Sequence, residues 1–213
     1  DMGKEALVVK RNVLFKDGEF QGFLPFGEKD LISIIAENHF YHARGDGLED
    51  NRSLKQVIPY VWIINPLMKK VFIYKRVETK KSAGEYKEKR YLNKYSAGVG
   101  GHIDKETEEG VEDPIGAAMM RELREEVVMD NYPKPKLLGF LNDDSDNLGE
   151  VHFGIVAVAE TTEKVGGRPS EGLASANFYS IEEADKILLN SKNEVESWTR
   201  ISWPFVKDYL QKI

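Results

Sequence analysis

The stretch GVGGHIDKETEEGVEDPIGAAMMRELREEVVM, residues 98–129, decides how the rest of the chain is read. Asp113-Pro114 opens a helix there. Aspartate accepts hydrogen bonds from first-turn N–H groups, and proline suits the first helical position, where its missing N–H costs nothing. Ile115, Met119, Leu123 and Val127 then recur every four residues and give the helix a buried stripe. Glu122, Glu125 and Glu126 stand three and four residues apart, so three carboxylates crowd one side. Like charges at that spacing repel. A hard divalent cation converts the penalty into a site, because Mg²⁺ takes carboxylate oxygens and keeps waters that phosphate oxygens displace. A solvated face is the competing reading of RELREE taken alone. The glycine corner ahead of the helix, Gly98 to His102, favours the site.

The flanks supply the frame. VIPYVWII (57–64) and VFIYKR (71–76) are β-rich runs around Asn65-Pro66, the pattern of two paired strands. Residues 136–142 and 151–160 read as strands around the acidic turn DDSDNLGE, and residues 177–179 as a later strand. Ser180 with Glu183 sets a capping box for a helix through Leu189, and residues 198–213 read as a helix with Pro204 at its start or at a kink. At the other end, residues 7–15 and 20–23 read as a hairpin about Lys16-Asp17-Gly18-Glu19, followed by a helix over 28–37. A polar stretch, 43–56, places a boundary near residue 55, giving a small N-terminal α/β extension (1–55) and a main domain with the C-terminal helices (56–213). Phe15, Phe20, Phe23 and Phe26 give the extension an apolar face too small to stand alone, so it is expected to pack on the main domain.

The glycine corner and Arg121-Glu122-Leu123-Arg124-Glu125-Glu126 together resemble the box of the Nudix hydrolase family. That pattern runs Gly, five residues, Glu, seven residues, Arg-Glu, apolar, any, Glu-Glu, any, Gly, apolar. The chain matches it from Arg121 through Glu126 and again at Met129. It departs at three places. Val128 replaces the final glycine; Gly101 stands 20 residues before Arg121 where the pattern has 14, a loop six residues longer; and Asp113, or Glu112, takes the place of the first glutamate. The likeness spans roughly residues 57–179.

The resemblance implies an α/β (α+β) fold, a Nudix-type α/β/α sandwich with a mixed β-sheet. It implies Mg²⁺ or Mn²⁺ held by Glu122, Glu125, Glu126 and the Gly100 carbonyl, with Arg121 orienting the carboxylates. Water attack on phosphorus then calls for a base: Glu125 or Glu126, or an acid of the later loop, Asp143, Asp144, Asp146 or Glu150. Glu150 is preferred because it opens a strand. The implied activity is a metal-dependent pyrophosphohydrolase cleaving a nucleoside diphosphate linked to another moiety. A catalytically silent nucleotide-sensing or partner-binding module is an alternative, against which all three carboxylates survive. An isopentenyl-diphosphate isomerase is a further one, against which the chain lacks the cysteine that enzyme relies on. A homodimer is compatible with the resemblance.

Composition narrows the field. With 30 Lys plus Arg against 36 Asp plus Glu, the net charge of −6 repels polyanions, so broad nucleic-acid binding is not expected. Zero Cys excludes disulfides, thiolate zinc sites and cysteine nucleophiles. The longest apolar runs, 31–36 and 57–64, are far short of the roughly 20 residues of a membrane helix, and charges at Lys4, Glu5, Lys10 and Arg11 interrupt any leader-like run. The expected location is cytoplasmic. His102, after the glycine corner, is a candidate for contact with substrate phosphate, while His152 reads as structural and His39 with His42 as a weak metal pair. Residues 79–95 hold six Lys or Arg against two Glu, and Lys87, Lys89 and Arg90 are candidates for steering a phosphate-bearing substrate.

Overall fold

The computed structural model describes residues 3–79 and 93–213. Its elements follow in the order Glu5–Lys10 (β1), Arg11–Leu14 (α1), Gly22–Pro25 (β2), Leu31–Asn38 (α2), Phe40–Ala43 (β3), Asp46–Glu49 (α3), Leu54–Asn65 (β4) and Lys70–Arg76 (β5). Tyr95–Ser96 (β6), Gly98–Gly100 (β7), Lys105–Glu108 (α4), Pro114–Glu126 (α5), Val127–Val128 (β8) and Lys136–Asn142 (β9) come next. His152–Glu160 (β10), Gly166–Gly167 (β11), Leu173–Ser180 (β12), Ile181–Leu188 (α6) and Ser197–Lys212 (α7) complete the chain. The class is α/β with a mixed sheet, as the resemblance implies. Two compact units are built from interleaved segments: Asp1–Tyr60, Gly100–Met119 and Leu137–Ala157 form one, and Val61–Val99, Met120–Lys136 and Val158–Ile213 the other.

In the first unit the strand order is β3-β1-β4-β10-β9-β2. The expected N-terminal hairpin does not form. β1 ends at Lys10, a single helical turn follows, and β2 pairs antiparallel with β9, Phe23 opposite Leu141. The partner of each strand lies far along the chain, which local periodicity does not encode. Phe15 is buried here and Phe20 half-buried, both packing edge-on against Phe153 at 5.9 and 6.1 Å, and Phe153 stacks on Phe140 at 5.9 Å; Phe23 is half-buried, and Phe26, expected on the same apolar face, is exposed. The long loop after β7 is tied to β1, since Leu7 N–H donates to the Ile103 carbonyl at 2.9 Å and Lys105 pairs with Glu5 at 3.3 Å. At Gly100 a Cβ would come within 1.8 Å of the Pro59 carbonyl oxygen, so only glycine allows β7 this close to β4.

In the second unit the order is β12-β5-β4-β10, with β6 on the far part of β5. Asn65 makes the expected turn by accepting from the N–H groups of Leu67 and Met68, and Ile64 pairs with Val71. The capping box of α6 is formed as read, with Ser180 accepting from Glu183 N–H and Glu183 from Ser180 N–H. Pro204 lies inside α7 rather than at its start. Trp203 of α7 stacks on Trp62 at 5.8 Å, and Trp62 donates to Ser202 at 3.0 Å.

One buried charge organises the first unit. Lys55, fully buried at the start of β4, donates to Asp144 Oδ1 at 2.8 Å and to the carbonyls of Gly149 and His152 at 2.7 and 3.1 Å. Arg11 grips the same carboxylate with both terminal nitrogens at 3.1 and 2.9 Å, and Gln21 exchanges two hydrogen bonds with Asp144. Burial pulls the Lys55 ammonium below its usual range, opposed by Asp144. Burial would raise the Asp144 carboxyl, but hydrogen bonds from Arg11, Lys55 and Gln21 outweigh it and hold the carboxyl well below the carboxylate range. Asp144→Ala should lower the unfolding free energy by about 3 kcal/mol, as stranding a buried charge does, and Lys55→Met added to it should return part of the loss. Urea unfolding of both variants checks this. A depressed carboxyl stabilises above the unfolded pKa of about 3.9 and ceases to as pH falls, so Asp144→Asn should unfold in acid with a shallower pH slope than wild type.

Candidate functional site

The carboxylate row of α5 lies in the second unit. Asp113 caps the helix, its Oδ1 accepting from Gly116 N–H at 3.0 Å, and the stripe Ile115, Met119 and Leu123 is buried as its spacing predicts. The opposite end is closed by Arg168, whose Nε donates to the Arg124 carbonyl at 3.1 Å and whose N–H donates to the Glu126 carbonyl at 2.9 Å. Between these ends Arg121 Nη1 reaches Glu122 Oε1 at 3.0 Å and Glu125 Oε2 at 3.3 Å. One guanidinium thus sits between two of the carboxylates and offsets their repulsion. Glu122 is 7% exposed, while the Glu125 side chain is 49% exposed.

Glu126 faces a second cation. Arg76 Nη2 lies 3.8 Å from its Oε2, and the same guanidinium donates to Tyr74 Oη at 2.9 Å and to the Glu171 carbonyl at 3.2 Å. Tyr74, fully buried, donates in turn to the Gly98 carbonyl of the glycine corner. Burial pushes the Tyr74 phenol above its usual range. Tyr74 foremost, and Glu126 after the opposing effect of burial, keep Arg76 charged far beyond any physiological pH.

The remaining candidates belong to the first unit. Gly100 ends β7. His102 Nε2 lies 2.7 Å from Gln56 Oε1, and its ring stands 5.6 Å from that of His152. Glu150 lies in a 3-10 turn, Gly149–Val151, one step before β10 rather than opening the strand, and pairs with Arg52. Its own carbonyl accepts from Arg11 at 2.7 Å. Asp144, another base candidate, is committed to the Arg11–Lys55 pair. Asp143 and Asp146 serve the turn, accepting from Ser145 and Gly149 N–H. His152 Nδ1 contacts the Leu148 carbonyl at 2.7 Å, and His39 and His42 contact backbone carbonyls too. Lys87, Lys89 and Arg90 lie outside the described residues.

Among the described residues, no three His, Asp or Glu side chains are gathered as a ready-made metal centre. The carboxylates of α5 are nonetheless hard oxygen donors, and the chain has no cysteine thiolate to offer, so the set suits Mg²⁺ or Mn²⁺ rather than a soft ion.

Protein YmaB of Bacillus subtilis (strain 168) is 33% identical over 166 residues, covering 75% of this chain and 76% of its own. Tm1382, assigned as a Nudix hydrolase, is 27% identical and superposes with a TM-score of 0.75 over 96% of this chain and 99% of its own. The chain belongs to the Nudix hydrolase family. DR0079 from Deinococcus radiodurans, 14% identical with a TM-score of 0.50, shares the fold over 81% of this chain and 90% of its own. No family model matches the sequence.

The departures from the Nudix box have local causes. Where the pattern has its final glycine, Val127 and Val128 leave the helix as β8 and pair with Gly167 and Gly166, a course that β-branched side chains favour. The enlarged loop carries the short helix α4, whose Glu108 is only 2% exposed and accepts from Asp104 N–H at 3.1 Å. Asp113 is occupied as a helix cap. Glu108, Arg76 and Lys55 were not singled out from the sequence. A lone acid in a polar loop and lone cations in strands give no periodic signal; only their burial marks them.

Arg76→Met should lower the unfolding free energy by about 3 kcal/mol, because it removes the cation beside the Glu126 carboxylate. Arg76→Lys should recover less than half of that, since one ammonium does not span Tyr74, Glu171 and Glu126 as the guanidinium does. Urea unfolding of the two variants measures the difference.

Proposed function

We propose that this Nudix hydrolase is a divalent-metal-dependent pyrophosphohydrolase acting on a nucleoside diphosphate linked to another moiety. The observation that carries the reading is the guanidinium of Arg121 set between Glu122 and Glu125, with Arg76 flanking Glu126. Two arginines from different elements flank three neighbouring carboxylates, more than a solvated face requires. Glu122, Glu125 and Glu126, with the Gly100 carbonyl, are the groups that would hold Mg²⁺ or Mn²⁺. When bound, such an ion neutralises phosphoryl charge that an acidic chain otherwise repels.

The protein's own groups divide the remaining work. Arg121 keeps Glu122 and Glu125 oriented. Glu125, the more exposed, or Glu126 is one candidate to take a proton from the attacking water, and Glu150 is another. His102 is assigned to substrate contact, as are Lys87, Lys89 and Arg90. Residues 1–55 are assigned as an extension of a Nudix domain, 56–213, whose Arg11 and Gln21 secure the turn that bears Glu150. No helix among the described residues is long and apolar enough to cross a membrane.

The test is hydrolysis of a panel of nucleotide sugars, dinucleoside polyphosphates and ADP-ribose with Mg²⁺ or Mn²⁺. Excess EDTA should abolish activity, and Glu126→Gln should reduce kcat by about 10² to 10³, the scale of losing one electrostatic contact to the transition state. Full activity in either case would sink the assignment.

A further inference from the structure

Gln56 is fully buried on β4, yet its side chain is only half satisfied. Oε1 meets His102 Nε2 at 2.7 Å, while Nε2 is buried with no hydrogen-bond partner among the described residues. A buried amide N–H without an acceptor opposes folding, and groups kept at that cost are found where a ligand completes them. His152, 9% exposed, sets its ring 5.6 Å from that of His102 at 65°, and Nδ1 of His152 is tied to the Leu148 carbonyl at 2.7 Å. The cluster therefore sets a buried amide donor beside the His102 ring, with His152 next to it, and His102 carries it to the partly exposed loop.

Its place in the chain narrows the ligand. His102 stands two residues after Gly100, so their Cα atoms are at most about 7 Å apart, the span of two extended residues. A group held on the Gly100 carbonyl side thus lies within reach of the cluster. An amide N–H recognises an acceptor oxygen, and in a chain of net charge −6 an anionic oxygen needs local donors to be admitted.

We propose that Gln56, together with His102 and His152, forms a subsite for a phosphoryl oxygen of the diphosphate substrate, with the Gln56 amide N–H as donor. The inference rests on the pyrophosphohydrolase reading above and adds to it the residue that receives the phosphoryl group on the β4 side of the glycine corner.

Calorimetric titration of the full chain with inorganic pyrophosphate, in EDTA and in Mg²⁺, tests it. Gln56→Met should weaken pyrophosphate binding about 10-fold, the scale of one lost hydrogen bond to a charged group, without lowering the melting temperature. Gln56→Glu keeps an acceptor for His102 but puts a carboxylate where the donor was, and should weaken binding further. Orthophosphate should bind more weakly than pyrophosphate in the wild type. Unchanged pyrophosphate affinity in Gln56→Met with a lowered melting temperature would make Gln56 a purely structural residue and overturn the proposal. Tighter Mg²⁺ binding in Gln56→Glu with pyrophosphate affinity intact would make the cluster a cation site, and orthophosphate bound as tightly as pyrophosphate would assign it to free phosphate; either outcome overturns it too. The two readings fail separately. Gln56-dependent binding in EDTA with no hydrolysis in Mg²⁺ would end the hydrolase reading and leave the subsite, whereas metal-dependent hydrolysis with Gln56-independent binding would do the reverse.

Discussion

An ammonium group removed from water must be surrounded by oxygen, and Lys55 imposes that constraint on the first compact unit. Its three acceptors are the Asp144 carboxylate and the carbonyls of Gly149 and His152, all in or beside the turn between β9 and β10. Satisfying it fixes that turn from within, and Arg11 repeats the operation from the N-terminal segment by taking the same carboxylate and the Glu150 carbonyl. A loop that would be a solvated acidic turn is therefore held by buried or half-buried cations at several points. At Gly149 a Cβ would lie 1.7 Å from the Asp143 carbonyl oxygen, so the turn also closes on its own backbone. The N-terminal segment, far from being a passive tail, supplies part of the frame on which the turn rests.

The second unit solves the opposite problem, an excess of negative charge. Three carboxylates on one face of α5 repel one another, and two arginines from different elements offset the repulsion: Arg121 from the helix itself and Arg76 from β5. Arg76 is also hydrogen-bonded to Tyr74, whose phenol reaches the Gly98 carbonyl, so the charge on α5 and the backbone of the glycine corner are joined through a buried chain of contacts. Such an arrangement sets two cations against three carboxylates and leaves an excess of negative charge on the helix face.

Much of this was legible in the residues, and the pattern of success is physical. Helix α5 was readable because its determinants are local: Asp113 as cap, Pro114 in the first turn, apolar residues every four positions. The same holds for the Asn65 turn and for the Ser180–Glu183 capping box. The N-terminal hairpin was misread because β2 pairs with β9, a choice made by packing of Phe15, Phe20 and Phe153 and by the pull of Asp144 on Arg11 and Gln21, none of which is written in residues 7–23. At the site, the carboxylates stood out because three acids share one helical face. Arg76, Glu108 and Gln56 did not, since each is a single polar residue in an otherwise ordinary segment and becomes informative only once it is known to be buried.

Titration of Mn²⁺ into the protein, followed by electron paramagnetic resonance, bears most directly on the central claim that Glu122, Glu125 and Glu126 form a cation site. The account expects stoichiometric Mn²⁺ binding in the wild type, weakened at least about 10-fold in Glu122→Gln, as loss of one charged ligand contact implies, with the fold retained. Mn²⁺ bound equally well by both proteins, or by neither, would contradict it.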